Sequence, residues 1–109
     1  MSYEFKQDGK FKYIEVGEGE PLLLLHGLFG ALSNFKDLIE HFRLTHKVIV
    51  PILPLLELDL LHTSVGGLQK FVFRFIEHRN YNDIHLLGNS LGGHVALVHI
   101  LKHPERIQS

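Results

Sequence analysis

Five consecutive residues carry the strongest chemical signal in this chain of 109 residues. Gly88-Asn89-Ser90-Leu91-Gly92 fits the pattern Gly-x-Ser-x-Gly, between a short apolar run and a longer helix-like run. A tight turn from a strand into a helix exposes a serine hydroxyl, and glycine on either flank tolerates the crowded backbone. Ser90 is therefore the candidate nucleophile, with Gly88 and Gly92 as structural residues of its turn.

Attack by a serine on an ester also needs hydrogen-bond donors for the negative charge that develops on the carbonyl oxygen. The backbone N–H of Leu91 follows the serine at a helix N-terminus, so it is one candidate donor. His26-Gly27-Leu28 follows another strand-like run, and parallel strands end at one edge of a sheet. Leu28 is the second candidate donor, while His26 and Gly27 are expected to shape its loop.

Strand and helix patterns supply the elements that would hold these residues. Asp8-Gly9 favours a hairpin between strands at Tyr3–Gln7 and Lys10–Val16. Buried-type strands and amphipathic helices then alternate three times, which favours an α/β fold whose mostly parallel sheet carries helices on both faces. The remaining elements are strands at Leu22–Leu25, Lys47–Val50 and Ile84–Leu87, and helices after a cap at Asn34, at Ser64–Arg79 and at Leu91–Lys102.

Composition excludes several other classes of protein. Hydrophobic residues make up 45% and charged residues 21%, which is typical of one soluble globular domain, here spanning 1–109. Eleven basic residues against twelve acidic ones give no surplus for nucleic acid. Cysteine is absent, so disulfides and thiolate-bound metals are excluded. We expect a cytoplasmic protein with no secretion signal, membrane span, metal or cofactor.

Two segments together resemble the α/β-hydrolase superfamily, and more narrowly its small esterase, haloperoxidase-like and C–C-bond hydrolase members. These segments are Leu24-Leu25-His26-Gly27-Leu28-Phe29-Gly30 and Leu87-Gly88-Asn89-Ser90-Leu91-Gly92-Gly93-His94-Val95-Ala96-Leu97. The resemblance spans the chain, but it implies only the first five strands and three helices of an eight-stranded fold, a truncated and incomplete hydrolase domain. It implies a serine hydrolase whose substrates are small carboxylic esters or related acyl compounds.

Two departures from the family pattern limit that implication. The region Pro51–Asp59 lacks the glycine-rich segment that commonly follows the fourth strand. The family order is nucleophile, acid, histidine, which places both partners of Ser90 beyond Ser109. We therefore expect an N-terminal fragment with little or no turnover. The alternatives are a non-catalytic binding or scaffold module, and an enzyme whose base comes from a second copy.

Other polar residues support weaker hypotheses. His94 is a candidate substitute base, and Asp59 a candidate displaced acid. His99 and His103 have a metal-binding spacing, but we interpret them as surface histidines of a helix. The leucine-rich run Leu53–Leu61 either covers the sheet or lines an acyl pocket, with covering slightly favoured.

The last predicted strand carries an expectation about assembly. In the family topology the strand Ile84–Gly88 is central, so without its outer neighbours its edge and the following helix would be uncovered. We therefore expect a homo-oligomer that forms through the sheet edge at Ile84–Gly88 and the helix Leu91–Lys102.

Overall fold

The computed structural model describes residues 3–27, 35–54 and 65–109. In these ranges a five-stranded sheet carries three α-helices. The strands are β1 (Lys6–Asp8), β2 (Phe11–Val16), β3 (Pro21–Leu25), β4 (Lys47–Pro51) and β5 (His85–Gly88). The helices are α1 (Lys36–Phe42), α2 (Val65–Arg79) and α3 (Leu91–Lys102), followed by a 3₁₀ turn at Pro104–Arg106.

The sheet has the order β1-β2-β4-β3-β5. β1 and β2 form an antiparallel hairpin, and β2 is also antiparallel to β4. β3 runs parallel to both β4 and β5, so the carboxyl ends of these three strands meet at one edge. The predicted α/β fold, with an N-terminal hairpin joined to parallel strands, is confirmed.

The hairpin differs from its prediction in position and turn type. β1 begins later than expected, and Asp8 pairs with Phe11, so the turn residues are Gly9 and Lys10. Of these two, Gly9 alone has a positive φ, at 62°. That pattern is typical of a type II′ turn, whereas the Asp-Gly prediction implied a type I′ turn with two positive φ values.

The other described boundaries lie within one residue of their predictions. The predicted cap Asn34 and helix start Ser64 lie outside the described residues, as do Asp59 and most of the run Leu53–Leu61.

The two faces of the sheet are covered by different helices, as predicted. α1 packs on one face through Ile39, together with Phe35 just before the helix, and α2 and α3 pack on the other. Consecutive leucines of β3 alternate between these two clusters, and all four are buried. Burial on both faces explains why Leu22–Leu25 is a continuous apolar run rather than an alternating one.

The C-terminal end of α2 is tied to the hairpin by charged and aromatic side chains. Arg79 Nη1 lies 2.8 Å from Asp8 Oδ2, and His78 Nε2 lies 2.9 Å from Asp8 Oδ1. These hydrogen bonds from His78 and Arg79 lower the pKa of the Asp8 carboxyl. The Tyr81 hydroxyl donates to Glu15 Oε1 at 2.6 Å, which adds a contact with β2.

The interface between α2 and α3 contains a polar pair that the sequence did not predict. Gln69 and His99 are 1% and 2% exposed, and Gln69 Nε2 donates to His99 Nδ1 at 3.1 Å. The expectation that His99 is a surface histidine is therefore wrong. The buried face of α3 consists of Gly92, Val95, Ala96 and His99.

We expect this buried histidine to make stability depend on pH. Burial, reinforced by the nearby His103 and opposed by Glu105, lowers the pKa of His99 below the ordinary histidine value of about 6.5. The unfolded chain then binds a proton more readily than the folded chain. The free energy of unfolding should consequently fall as pH drops below about 6.5, with a limiting slope of about 1.4 kcal/mol per pH unit from this group.

Urea unfolding of the wild type and of His99→Gln, from neutral to mildly acidic pH, measures this contribution. The wild-type curve should fall more steeply on the acid side, because the variant retains a polar side chain but cannot bind the proton. Parallel curves for the two proteins would contradict the prediction.

The outer edge of β5 is partly covered by the end of the chain. The Ile84 N–H donates to Arg106 O at 2.9 Å, and the Leu86 N–H donates to Ser109 O at 2.9 Å. Ile84 and Ile107 form a parallel bridge. The expectation of a bare edge along Ile84–Gly88 is therefore wrong for its first half, because the tail already bonds to that backbone.

Within the described ranges, none of the helices has the length and apolar character that crossing a membrane requires.

Candidate active site

Ser90 lies in the turn that joins β5 to α3, and its side chain is exposed. Its backbone has φ 58° and ψ −118°, a conformation that residues with a side chain rarely adopt. Such a conformation costs about 1–3 kcal/mol and persists only where the surroundings impose it. The turn thus holds a hydroxyl at the edge of the sheet at a measurable cost in stability.

The surroundings that impose this turn are close backbone contacts. A Cβ added at Gly92 would lie 2.0 Å from the carbonyl oxygen of Leu25, and one at Gly88 would lie 2.4 Å from the Gly92 carbonyl. Neither position has room for a side chain, so α3 can approach β3 and β5 this closely only through glycine. The sequence motif therefore reflects packing of the helix N-terminus on the ends of two strands.

The two candidate loops meet at this edge. A Cβ added at Gly27 would lie 3.2 Å from Ser90 Cβ and 3.7 Å from Ser90 Oγ. The Asn89 N–H donates to Leu25 O at 3.0 Å, which continues the pairing of β5 with β3 up to the turn. The structure thus brings Gly27 and Ser90 side by side, although they are far apart in sequence.

Backbone donors at the start of α3 are used unequally. The N–H groups of Gly92, Gly93 and His94 bond to carbonyls of the turn itself, at 3.0, 3.0 and 3.2 Å. Leu91 is the first residue of the helix, where an N–H has no intrahelical acceptor. The Leu91 N–H therefore remains the candidate oxyanion donor that the sequence predicted. Leu28, the other candidate donor, lies outside the described residues.

His26 is buried and both of its ring nitrogens have partners. The backbone N–H of Leu53 donates to Nε2 at 2.9 Å, so Nε2 is the unprotonated nitrogen. Nδ1 then carries the proton and donates to the Gly27 carbonyl at 3.0 Å. This geometry supports the interpretation of His26 as a residue that shapes the loop beside Ser90, and it leaves no free nitrogen for base chemistry.

The link to Leu53 is a part of the site that sequence reasoning missed. Leu53 contributes a backbone donor, and a backbone N–H has no signature in the residue type. The contact joins the segment after β4 to the loop after β3, so two strand ends determine the position of Gly27.

No triad is assembled in the part of the chain that the structure describes. Across residues 3–27, 35–54 and 65–109, no histidine is hydrogen-bonded to Ser90 Oγ. His94 is exposed, and its hydrogen bond with Ser90 joins backbone atoms, from His94 N–H to Ser90 O at 3.2 Å. In the same ranges, no three histidine, aspartate or glutamate side chains are arranged to hold a metal ion.

The parallel strands, the strand-to-helix turn and the glycine contacts define a hydrolase-type scaffold. The chain belongs to the α/β-hydrolase fold family, whose family profile matches residues 20–109.

Three proteins with similar sequences or structures illustrate this family membership. MGS-MChE2, an alpha/beta hydrolase enzyme from a metagenome of sediments of the lagoon of Mar Chica, Morocco, superposes with a TM-score of 0.92 at 47% identity, over 97% of this chain and 49% of that one. Monoacylglycerol lipase abhd6-B of Xenopus laevis is 26% identical over 100% of this chain and 36% of its own length. Lipase 1 of Psychrobacter immobilis is 28% identical over 92% of this chain and 33% of its own length.

These relatives include lipase-type enzymes, and all are much longer than this chain. The chain spans 49% of MGS-MChE2 and between 27% and 36% of the curated relatives that it matches. What is shown is therefore membership of a hydrolase family with lipase-type homologues, over the region that contains the Ser90 turn.

Proposed function

We propose that this chain carries the nucleophile and the oxyanion donors of a serine hydrolase that acts on carboxylic esters or related small acyl compounds. The observation that carries the proposal is the exposed Ser90 in a strained strand-to-helix turn, with the Gly27 loop directly beside it. A structural serine would have no need of a backbone conformation that costs about 1–3 kcal/mol.

In the proposed reaction, Ser90 Oγ attacks the acyl carbonyl carbon and forms a new C–O bond. The proton of Oγ passes to a base, and the N–H groups of Leu91 and Leu28 stabilise the negative charge on the former carbonyl oxygen. Collapse of the intermediate releases the alcohol, which takes a proton, and water then hydrolyses the acyl-enzyme. No metal or cofactor takes part in this scheme, and a cytoplasmic location is retained as a prediction.

The base and its orienting acid are proposed to come from polypeptide other than the described residues. MGS-MChE2 has about as much chain again beyond the matched part, which is room for both groups. Without them Ser90 is weakly activated. Sites that lack the triad but keep the oxyanion donors retain an acceleration of roughly 10³–10⁴ over water.

The test is covalent labelling of this chain with a fluorophosphonate, which reports an accessible, activated serine. We expect slow labelling that Ser90→Ala abolishes, because that variant lacks Oγ. Ser90→Gly should also fail to label, and it should unfold at a higher urea concentration than Ser90→Ala, because glycine relieves the positive φ.

Ser109→Ala is the matched control for a second serine. In the wild type, Ser109 Oγ lies 2.6 Å from His85 Nδ1, and this hydroxyl–imidazole pair could itself react with the fluorophosphonate. The proposal requires that Ser109→Ala label like the wild type. Labelling that persists in Ser90→Ala would exclude Ser90 as the labelled nucleophile. Absent labelling both of this chain and of a longer product of the same gene, under conditions that label an active serine esterase, would instead favour the non-catalytic scaffold.

A further inference from the structure

The buried pair of Gln69 and His99 involves the helix that begins at the Ser90 turn. α3 starts directly after Ser90, and His99 lies on the face of α3 that packs on α2. Gln69 Nε2 donates to His99 Nδ1 at 3.1 Å. The reaction proposed for Ser90 uses neither side chain, so any part that the pair plays in it has to act through the position of α3.

Packing alone does not explain why this pair is polar. Both side chains are almost completely buried, and leucine would fill a comparable volume without a polar group to satisfy. Replacing both partners of a buried hydrogen bond with apolar groups is often close to neutral for stability, whereas removing one partner leaves the other unsatisfied. A buried polar pair therefore disfavours every packing arrangement that separates its two members.

The apolar residues of α3 do not themselves select the face that packs. From Leu91 to Leu101 the helix has no acidic, lysine or arginine residue. Its exposed residues Leu97 and Leu101 are as apolar as Val95, which is buried. The hydrophobic effect is not directional, so burial of apolar surface alone would tolerate several rotations of α3 about its own axis.

Two contacts of different kinds fix α3 on its observed face. Near the start of the helix, a Cβ at Gly92 would lie 2.0 Å from the carbonyl oxygen of Leu25, so glycine has to face β3 there. His99 lies two turns, about 10 Å, further along the same face, where it meets Gln69 of α2. One contact would leave the helix free to tilt about it, whereas two contacts fix its direction.

We propose that Gln69 and His99 are positioning residues, which fix the tilt and rotation of α3 and thereby the directions of Ser90 Oγ and the Leu91 N–H. This inference rests on the proposed function of Ser90. Reacting groups have to be held within about 0.5 Å of the productive geometry, and a misplacement of about 1 Å can lower a rate by about 10²-fold. A modest tilt of α3 is therefore enough to slow attack by Ser90 while the fold stays intact.

The double variant Gln69→Leu/His99→Leu tests the proposal, because it removes the polar pair but keeps an apolar interface. Its midpoint of urea unfolding should stay close to that of the wild type, and a fluorophosphonate should label it at least about tenfold more slowly. In amide NMR spectra the signals of α3 should be broadened or doubled, while those of the β1–β2 hairpin stay unchanged. The spectra do not depend on the reactivity of Ser90, so they report position separately from chemistry.

Two single variants are the matched controls. His99→Gln keeps a side chain that can accept a hydrogen bond from Gln69, so at neutral pH it should label within about threefold of the wild-type rate. Val72→Ala shortens a fully buried side chain of α2 and leaves both polar side chains in place. Its midpoint of urea unfolding should fall, while its labelling rate should stay near that of the wild type.

Several results would overturn the positioning role. A double variant that fails to fold would show that the pair is needed for stability, and one with the wild-type labelling rate and a single set of α3 signals would show that it is not needed for position. Equal slowing in His99→Gln or in Val72→Ala would have the same meaning. If the wild type is not labelled at Ser90, the proposed function fails, and unchanged α3 signals in the double variant would then overturn the positioning role separately.

Discussion

Gly92→Ala should cost this protein about 3 kcal/mol or more and abolish labelling of Ser90. The added Cβ would lie 2.0 Å from Leu25 O, 2.5 Å from Leu25 C and 2.8 Å from His26 O. All three are backbone atoms, which cannot rotate away as a side chain would. Relief requires α3 to move off the ends of β3 and β5, and domains are stable by only about 5–15 kcal/mol. Urea unfolding and fluorophosphonate labelling measure the two losses.

The adjacent glycine provides the control. A Cβ at Gly93 would lie 3.2 Å from Gly88 O, a tight contact that a small shift can relieve. Alanine is also better than glycine within a helix by about 1 kcal/mol, so Gly93→Ala should remain within about 1 kcal/mol of the wild type. Wild-type stability of Gly92→Ala would show that α3 does not approach β3 as closely as described.

Phe75→Ala should be the most damaging substitution in the core, at about 3–5 kcal/mol. Phe75 is fully buried on α2, and its ring centroid lies 5.5 Å from that of Phe11, 5.3 Å from that of Tyr13 and 5.9 Å from that of Tyr81. Truncation would leave a cavity between the helix and β2, where these rings cannot close the gap without moving the strand. The midpoint of urea unfolding should shift accordingly, with a similar slope.

Phe5→Ala tests whether the loss comes from burial and not merely from removing an aromatic ring. Phe5 is 51% exposed, so its truncation should cost less than about 1 kcal/mol. Comparable losses for the two variants would contradict the placement of Phe75 at the centre of the cluster on α2.

The parts of the fold that the sequence predicts are those encoded by local periodicity. The amphipathic helix predicted at Ser64–Arg79 forms as α2, and its apolar residues Leu68, Val72, Phe75 and Ile76 are buried at helical spacing. The run Leu22–Leu25 has the continuous apolar pattern of a strand covered on both faces, and it forms β3.

The burial of His99 could not be predicted, because α3 is apolar on every side and its periodicity does not identify the face that packs. The burial of Gln69 could not be predicted for a related reason. A polar residue within an apolar stripe normally lies at the margin of the stripe, where it remains in contact with solvent. Whether it is buried depends on finding a partner from another helix, and that partner is His99.

At the candidate site, too, the sequence predicts the local turn but not the contacts with segments distant in sequence. The glycines around Ser90 predict a tight turn, which the structure has. They do not reveal that the obstacle at Gly92 is the carbonyl of Leu25, in a different strand. Nor does any residue type indicate that the Leu53 N–H holds the His26 ring, since every residue except proline has such a donor.

The approach of Gly92 to Leu25 also has a kinetic consequence. The strained backbone of Ser90 is unfavourable in a free chain, and contacts between segments distant in sequence impose it. Such contacts form only after the intervening chain has been closed into a loop. The turn that holds Ser90 should therefore form late in refolding, after most secondary structure has formed. The rate at which a fluorophosphonate labels Ser90 would then follow the completion of the sheet and not the appearance of its helices.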